Sequence, residues 1–408
     1  MTNRTLLLTG ATGIMGSWVL GEALSRGYSA ICLMRDATHA AAVDRIKTVL
    51  GHVDRTQDLH RVKVVLGEAS RPGLGLSQQE AEDIRAAADL MIHCAACTTF
   101  SPDQDAEVWA TNVDGVRNVV SFLAGSGVPL YHVSTAYVAG KRRGRVLETE
   151  LSVGQEFSNT YERSKLTSET MVRAAFSDGS LSGAIFRPSI ITGSTRDGRI
   201  MQFMNFYNVL RMIDLIARRR MNGASLLRVA ARLDGTKNLI PVDWAIQALW
   251  RIIEREGPSN QVYHLTNPNP MPHTELAFWA NEMVRETGLR IELVDRIDGT
   301  PSSLEALFAA GFSNYLPYMQ TEPLFDRTNT DRALNGAAPF PAFTPAYFQL
   351  LLDYAREARW KSLFERELGR RRKETSGASL AASAATLRKP RPVAPAAQPQ
   401  RVAFEQGV

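Results

Sequence analysis

Tyr161-Glu162-Arg163-Ser164-Lys165 places a phenol and an amine four residues apart. On a helix that spacing puts them on one face. A free phenol titrates near ~10, and a neighbouring cation favours the phenolate and pulls that value toward neutrality. Such a tyrosine can exchange a proton with an oxygen on a reacting carbon. On its own, Y-x-x-x-K is usually an exposed helix pair. Here Tyr131-His132-Val133-Ser134-Thr135 ends an apolar run in two hydroxyls, where one could bond a substrate oxygen; strand-end capping is the plain alternative. Asn112, in Thr111-Asn112-Val113-Asp114-Gly115, could anchor a helix or a relay water, or cap a helix N-terminus.

A second chemical signal lies at the start of the chain. Thr9-Gly10-Ala11-Thr12-Gly13-Ile14-Met15-Gly16 spaces its glycines G-x-x-G-x-x-G between an apolar run and a helical pattern. Glycines there allow a tight turn, approach of backbone N–H groups to a pyrophosphate, and close helix–strand packing. This predicts a dinucleotide site at Gly10, Thr12, Gly13, Ile14, Met15 and Gly16. Met34-Arg35-Asp36 follows the second apolar run. An acid at this place holds ribose hydroxyls, and an arginine accepts a 2′-phosphate. Arg35, assisted by Arg45, favours NADP(H) and leaves NAD(H) open. The positive nicotinamide ring would reinforce the effect of Lys165 on Tyr161.

These residues need elements to hold them. Apolar runs at 5–9, 29–34, 62–66, 90–93, 130–133 and 183–186 alternate with helical patterns at 14–25, 38–50, 77–88, 108–124 and 161–175. Such alternation predicts an α/β fold, a Rossmann-type doubly wound parallel sheet over residues 1–193. Residues 236–256 read as a return to it. Residues 194–235 and 257–369 read as a smaller C-terminal substrate-binding domain, with one long helical pattern from Pro345 to Glu374. The Ala/Pro-rich stretch 370–408 reads as a disordered basic tail.

Composition narrows the class. The 408 residues are 44% hydrophobic and 22% charged, with a net charge of +5. Residues 370–408 hold eight Lys/Arg against two acids, so this tail carries +6 and the rest of the chain −1. A near-neutral body excludes a nucleic-acid-binding domain. No apolar stretch reaches the ~18 residues of a membrane span. Three cysteines, no secretory leader pattern and scattered histidines predict a cytoplasmic protein with no metal site. Cys94-x-x-Cys97 lacks a second pair and reads as packing.

As a set, the glycine turn, His93-Cys94-Ala95-Ala96, Asn112-Val113-x-Gly115, Ser134-Thr135, Tyr161-x-x-x-Lys165 and Arg187-Pro188-Ser189 resemble the extended short-chain dehydrogenase/reductases over residues 5 to about 255. Ile31–Arg35, Leu74–Ser77, Ser134–Val138 and Ile240–Asp243 look like the branch of fatty acyl-CoA reductases and carrier-protein thioester reductases. The resemblance implies a Thr135–Tyr161–Lys165 triad with Ser134 behind it. It also implies NADPH as reductant, Ala95 and Ala96 beside the cofactor, and Pro188 next to the nicotinamide. Gly67-Glu68 departs from the family's usual Gly-Asp near the adenine. The implied activity is hydride transfer to a carbonyl, or from a carbinol, of a lipophilic substrate. An acyl thioester, free or delivered by a carrier protein, fits. A ketone reductase or secondary-alcohol dehydrogenase for an apolar secondary metabolite is the enzymatic alternative, and a non-catalytic cofactor-sensing protein is the alternative of another class. The Met-, Phe- and Arg-rich stretch Met201–Arg232 reads as a lipophilic pocket lining, a peripheral membrane contact or a plain helix pair.

Overall fold

The computed structural model describes residues 4–218, 225–320 and 322–369. Seven short aliphatic runs build one sheet: Thr5–Thr9 (β1), Ser29–Met34 (β2), Val62–Leu66 (β3), Leu90–His93 (β4), Leu130–Val133 (β5), Gly183–Pro188 (β6) and Val262–Leu265 (β7). The order is β7-β6-β5-β4-β1-β2-β3, with every pairing parallel. Strands covered on both faces read as unbroken apolar runs rather than alternating ones. Leu6 and Leu8 join one core layer, and Leu7 between them joins the other. Helices Ile14–Ser25 and Val242–Glu256 pack on the first face, and Gly115–Leu123 and Thr160–Ser177 on the second.

The C-terminal part stacks helices Phe206–Arg218, His273–Val284 and Ser303–Phe312 against a parallel pair, Ser225–Ala230 with Leu289–Val294. Val262–Leu265 corrects the expectation that 257–369 belongs wholly to this part. All four of its residues are buried, and it completes the main sheet in register with Ile185–Pro188. Leu239–Pro241 does not enter the main sheet and pairs instead with Ile190–Thr192. The long pattern from Pro345 is broken too. Its helix ends at Glu357, and Arg359 and Trp360 adopt φ of 52° and 56°. That turn buries Trp360, whose indole N–H donates to Asp214 at 3.2 Å. Arg219, Arg220 and the tail 370–408 lie outside the described residues.

One buried ion pair crosses the second layer. Arg187 on β6 and Glu169 on Thr160–Ser177 are both fully shielded from solvent, with guanidinium Nε and NH2 at 3.0 and 2.7 Å from the carboxylate. Ser134, just past β5, donates to the same carboxylate at 2.7 Å, and Arg187 also donates to Glu150 O at 2.8 Å. His264 on β7 donates from Nδ1 to Asp326 O at 2.6 Å, leaving Nε2 to accept from Arg187 at 3.1 Å. Burial and the Arg187 charge hold this imidazole neutral, with its pKa pushed down to about 3. Removing one partner strands the other charge in a dry interior. Glu169→Gln should therefore cost about 3–5 kcal/mol in urea denaturation, and Arg187→Met added to it should recover part of that loss.

Candidate active site

The sheet order reverses direction between β1 and β4, and the carboxyl ends of these strands open a crevice there. A cavity of about 630 Å³ starts in it and continues into the C-terminal part. Every residue expected from the sequence to take part in catalysis or cofactor binding lines it except Gly16 and Asn112, which adjoin the wall residues Met15 and Thr111 in the chain.

The glycine turn leaves no room for side chains. Gly10 has φ +74°, and a Cβ there would fall 2.6 Å from Ala95 N; a Cβ on Gly16 would fall 2.0 Å from Gly10 O. Gly13 caps the helix Ile14–Ser25 with no side-chain hydrogen bond to its first-turn N–H groups. Free donors at a bare helix start, with no Cβ in the way, suit a pyrophosphate. The residues present therefore fit a dinucleotide: Gly10–Met15 for its phosphates, Ala95 and Ala96 across the crevice, and Pro188 beyond.

At the end of β2, Arg35 is exposed and lines the cavity. Asp36 is taken by Arg45, whose NH1 lies 3.0 Å from both carboxylate oxygens and whose NH2 donates to Thr12 at 3.0 Å. Arg45 thus braces the glycine turn and neutralises the acid, while Arg35 offers a guanidinium to the cavity.

Tyr161 and Lys165 stand on Thr160–Ser177, which Asn159 caps by accepting from Glu162 N at 3.0 Å. Thr135 ends up against both the helix and β6. Its hydroxyl accepts from Tyr137 N at 3.3 Å and donates to Pro188 O at 3.4 Å, and it lowers the pKa of the nearby Tyr161 phenol. Ser134 points away, into the Glu169–Arg187 pair. Lys165 is 2% exposed and donates to Val133 O at 2.7 Å. The phenol differs from the sequence expectation. Desolvation raises it to about 12, against a lowering by the Thr135 hydrogen bond, and it is not drawn toward neutrality. Desolvation also lowers Lys165 to about 8, despite the Glu169 carboxylate nearby.

Asn112 neither caps a helix nor faces the cavity. It sits in a single π turn, Ala110–Asp114, that interrupts the helix read from 108 to 124. Its Oδ1 accepts from Cys97 N at 2.8 Å, and its Nδ2 donates to Cys97 O and Ser164 Oγ, both at 2.9 Å. The bulge turns this amide inward, so it clamps the loop after β4 to the Tyr161 helix.

Other groups at the site gave no sequence signal, because their partners are remote in the chain. Phe100 packs on Tyr161, Tyr315 and Tyr318 at ring distances of 5.8, 5.4 and 5.6 Å. Tyr318 donates to Glu162 at 2.6 Å and accepts from Asn159 at 2.7 Å, tying the C-terminal part to the start of the Tyr161 helix. Tyr137 donates to Glu322 at 2.5 Å, and Glu322 also faces Lys237 at 3.4 Å. Asn205, at φ 51°, lines the cavity with a buried Oδ1 that has no hydrogen-bond partner among the described residues.

In the described part of Met201–Arg232, Met204, Phe206, Val209, Leu210, Ile213 and Val229 line the cavity. The apolar face of Phe206–Arg218 is thus turned inward, as the pocket-lining reading requires. His93 and His132 stack at 5.6 Å behind Lys165, and burial with the Lys165 charge keeps both neutral. Cys32, Cys94 and Cys97 are free thiols. Among the described residues no group of three His, Cys, Asp or Glu is placed to hold a metal, and no helix is long and apolar enough to cross a membrane.

Comparison with known proteins gives a consistent picture. The family model described as male sterility protein matches residues 8–249. A component of the linear gramicidin synthase of Brevibacillus parabrevis is 26% identical over 282 residues, 66% of this chain and 5% of that protein. The chain therefore spans a small part of that relative's length. The terminal R domain of the myxalamid PKS-NRPS pathway superposes with a TM-score of 0.74 at 24% identity, covering 88% of this chain and 92% of that one. A thiolation-reductase di-domain of an archaeal non-ribosomal peptide synthetase gives 0.70 at 18% identity, covering 88% and 76%. At these identities the two structures share the fold.

The clamp role of Asn112 is open to direct test. Asn112→Ala removes three hydrogen bonds of a buried amide and leaves the Cys97 N–H without its acceptor. We expect a loss of about 1–3 kcal/mol in denaturant unfolding, with faster hydrogen exchange in the loop after β4.

Proposed function

This chain belongs to the male sterility protein family, NAD(P)-dependent oxidoreductases of the extended short-chain dehydrogenase/reductase type, and from that premise we propose that it reduces a lipophilic acyl thioester with NADPH. The observation that carries the reading is the continuity of one cavity. It runs from the glycine turn, past Thr135, Tyr161 and Lys165, to the apolar walls of the C-terminal part.

When bound, the cofactor supplies a hydride to the carbonyl carbon. Tyr161 donates the proton that the carbonyl oxygen then needs. With its pKa raised to about 12 the phenol is fully protonated at neutral pH, which is the state a donor requires. Thr135, held by its hydrogen bond to Pro188 O beside the phenol, orients the substrate oxygen. Lys165 keeps a positive charge behind the tyrosine up to about pH 8 and offsets the negative charge that the phenol acquires. The resulting hemithioacetal loses its thiol to give an aldehyde, and a second reduction gives the alcohol. Similarity to a peptide synthase component and to a thiolation-reductase di-domain supports a carrier-bound thioester as the natural form, with a coenzyme A thioester as its free equivalent. The exposed Arg35, beside an Asp36 already paired with Arg45, supports NADPH over NADH.

The direct test supplies NADPH and dodecanoyl-CoA and looks for dodecanal or dodecanol by mass spectrometry. Cofactor oxidation with apolar ketones alone would overturn the thioester reading. Tyr161→Phe should bind NADPH normally and lose about 10²–10⁴-fold in kcat. Arg35→Ala should raise the Kd for NADPH about tenfold or more and leave that for NADH nearly unchanged, read by fluorescence titration. Lys165 is charged below its pKa and neutral above it. The reductive kcat/KM should therefore fall on the alkaline side with an apparent pKa near 8.

A further inference from the structure

The buried core of the C-terminal part does not close on itself. Ile213, Ala280, Ile291, Phe308 and Phe312 belong to one hydrophobic cluster, and all five also line the cavity that contains Tyr161. This core is hollow toward the reacting atoms.

The helix His273–Val284 shows where the hollow lies. His273, Leu276, Ala277 and Ala280 face the cavity, at positions i, i+3, i+4 and i+7 on one side of the helix. The same stripe ends on Val284, which is fully buried in the cluster. Two of these four positions, Ala277 and Ala280, carry only a methyl group. Facing it are Ile213 from Phe206–Arg218 and the ring pair Phe308 and Phe312, whose centroids are 5.2 Å apart. Among the described wall residues supplied by these helices and the Ser225–Ala230 and Leu289–Val294 strands, none is Asp, Glu, Lys or Arg. His273, whose Nε2 has no hydrogen-bond partner among the described residues, stands at the opposite end of the stripe from Val284. Past it, among Ala277, Ala280, Ile213, Phe308 and Phe312, a polar or charged chain end would be desolvated without a partner, whereas a hydrocarbon gains with every methylene buried.

Building on the proposed reduction, we infer that this hollow takes the tail of an unsubstituted acyl chain, and that Ala277 and Ala280 set the chain length the protein accepts. Ala280 is 6% exposed, so an enlarged side chain at this position has the cavity to grow into and no solvent. A bulkier residue here shortens the hollow. Loss of a ring at Phe312 lengthens it.

The test is equilibrium binding of butanoyl-, octanoyl-, dodecanoyl- and hexadecanoyl-CoA by calorimetry, with no reductant present. In the parent protein affinity should rise by roughly three- to fourfold per methylene until the tail reaches the Phe308–Phe312 floor, then level off. Ala280→Leu should lower the dodecanoyl/butanoyl affinity ratio about tenfold or more, and Phe312→Ala should raise the hexadecanoyl/dodecanoyl ratio. NADPH binding, at the other end of the cavity, reports that each variant is folded. If Ala280→Leu fails that check, Ala277→Val at its half-buried neighbour decides. A flat length profile in the parent, or ratios unchanged in folded variants, overturns the inference. Chain-length-dependent binding without aldehyde on adding NADPH would sink the thioester reaction and leave the tail pocket standing. Aldehyde formation with a flat binding profile would do the reverse.

Discussion

A guanidinium and a carboxylate with no access to water, Arg187 and Glu169, hold the supports of the site in place. Taking both charges out of solvent is costly, and further hydrogen bonds to both groups sustain the pair. Ser134, Arg173, His264 and the Glu150 carbonyl supply them. These partners come from the end of β5, the Tyr161 helix, β7 and the segment before that helix, and Arg187 itself comes from β6. The pair therefore fixes the helix on the strand ends, and with it the distance from Tyr161 to Thr135. It also explains the unequal fates of two adjacent hydroxyls: Ser134 is committed to the ion pair, so Thr135 is the one left for the cavity.

Burial does more at this site than shelter it. The same desolvation that raises the Tyr161 phenol to about 12 lowers the Lys165 amine to about 8. Each group is pushed toward its neutral form, which for the phenol is the donor and for the amine is the loss of its charge. The spacing of the two on a helix suggested attraction between them, but the tertiary environment sets a larger, opposite effect on the tyrosine. Lys165 spends one N–H on the Val133 carbonyl, and this holds it at the sheet edge instead of in solvent.

The two ends of the cavity meet different physical demands. At the glycine turn, backbone approach matters, and a single added Cβ would collide with main-chain atoms. At the far end the walls are aliphatic and aromatic side chains that would otherwise close a small core. Leaving a core hollow gives up packing energy that a filled one would supply. Between the two ends, Phe100, Tyr318 and the Glu162–Asn159 cap tie the C-terminal part to the reacting tyrosine.

Local order in the chain was enough to determine the alternating strands and helices, the glycine turn, and the pairing of Tyr161 with Lys165 on one helix face. Each of these depends on residues within one turn or one strand of each other, where spacing and side-chain type act directly. Tertiary structure alone decided the rest. It carried Val262–Leu265 into the main sheet, because a four-residue buried strand looks the same whichever sheet accepts it. It chose, among helix anchor, relay-water anchor and cap, the anchor for Asn112, because a π turn is invisible until the loop it grips has folded against it. It raised the Tyr161 phenol, since desolvation comes from residues distant in sequence. It also joined the apolar stretch after Met201 to helices some 70 to 100 residues further on around one hollow, a contact that no local pattern encodes.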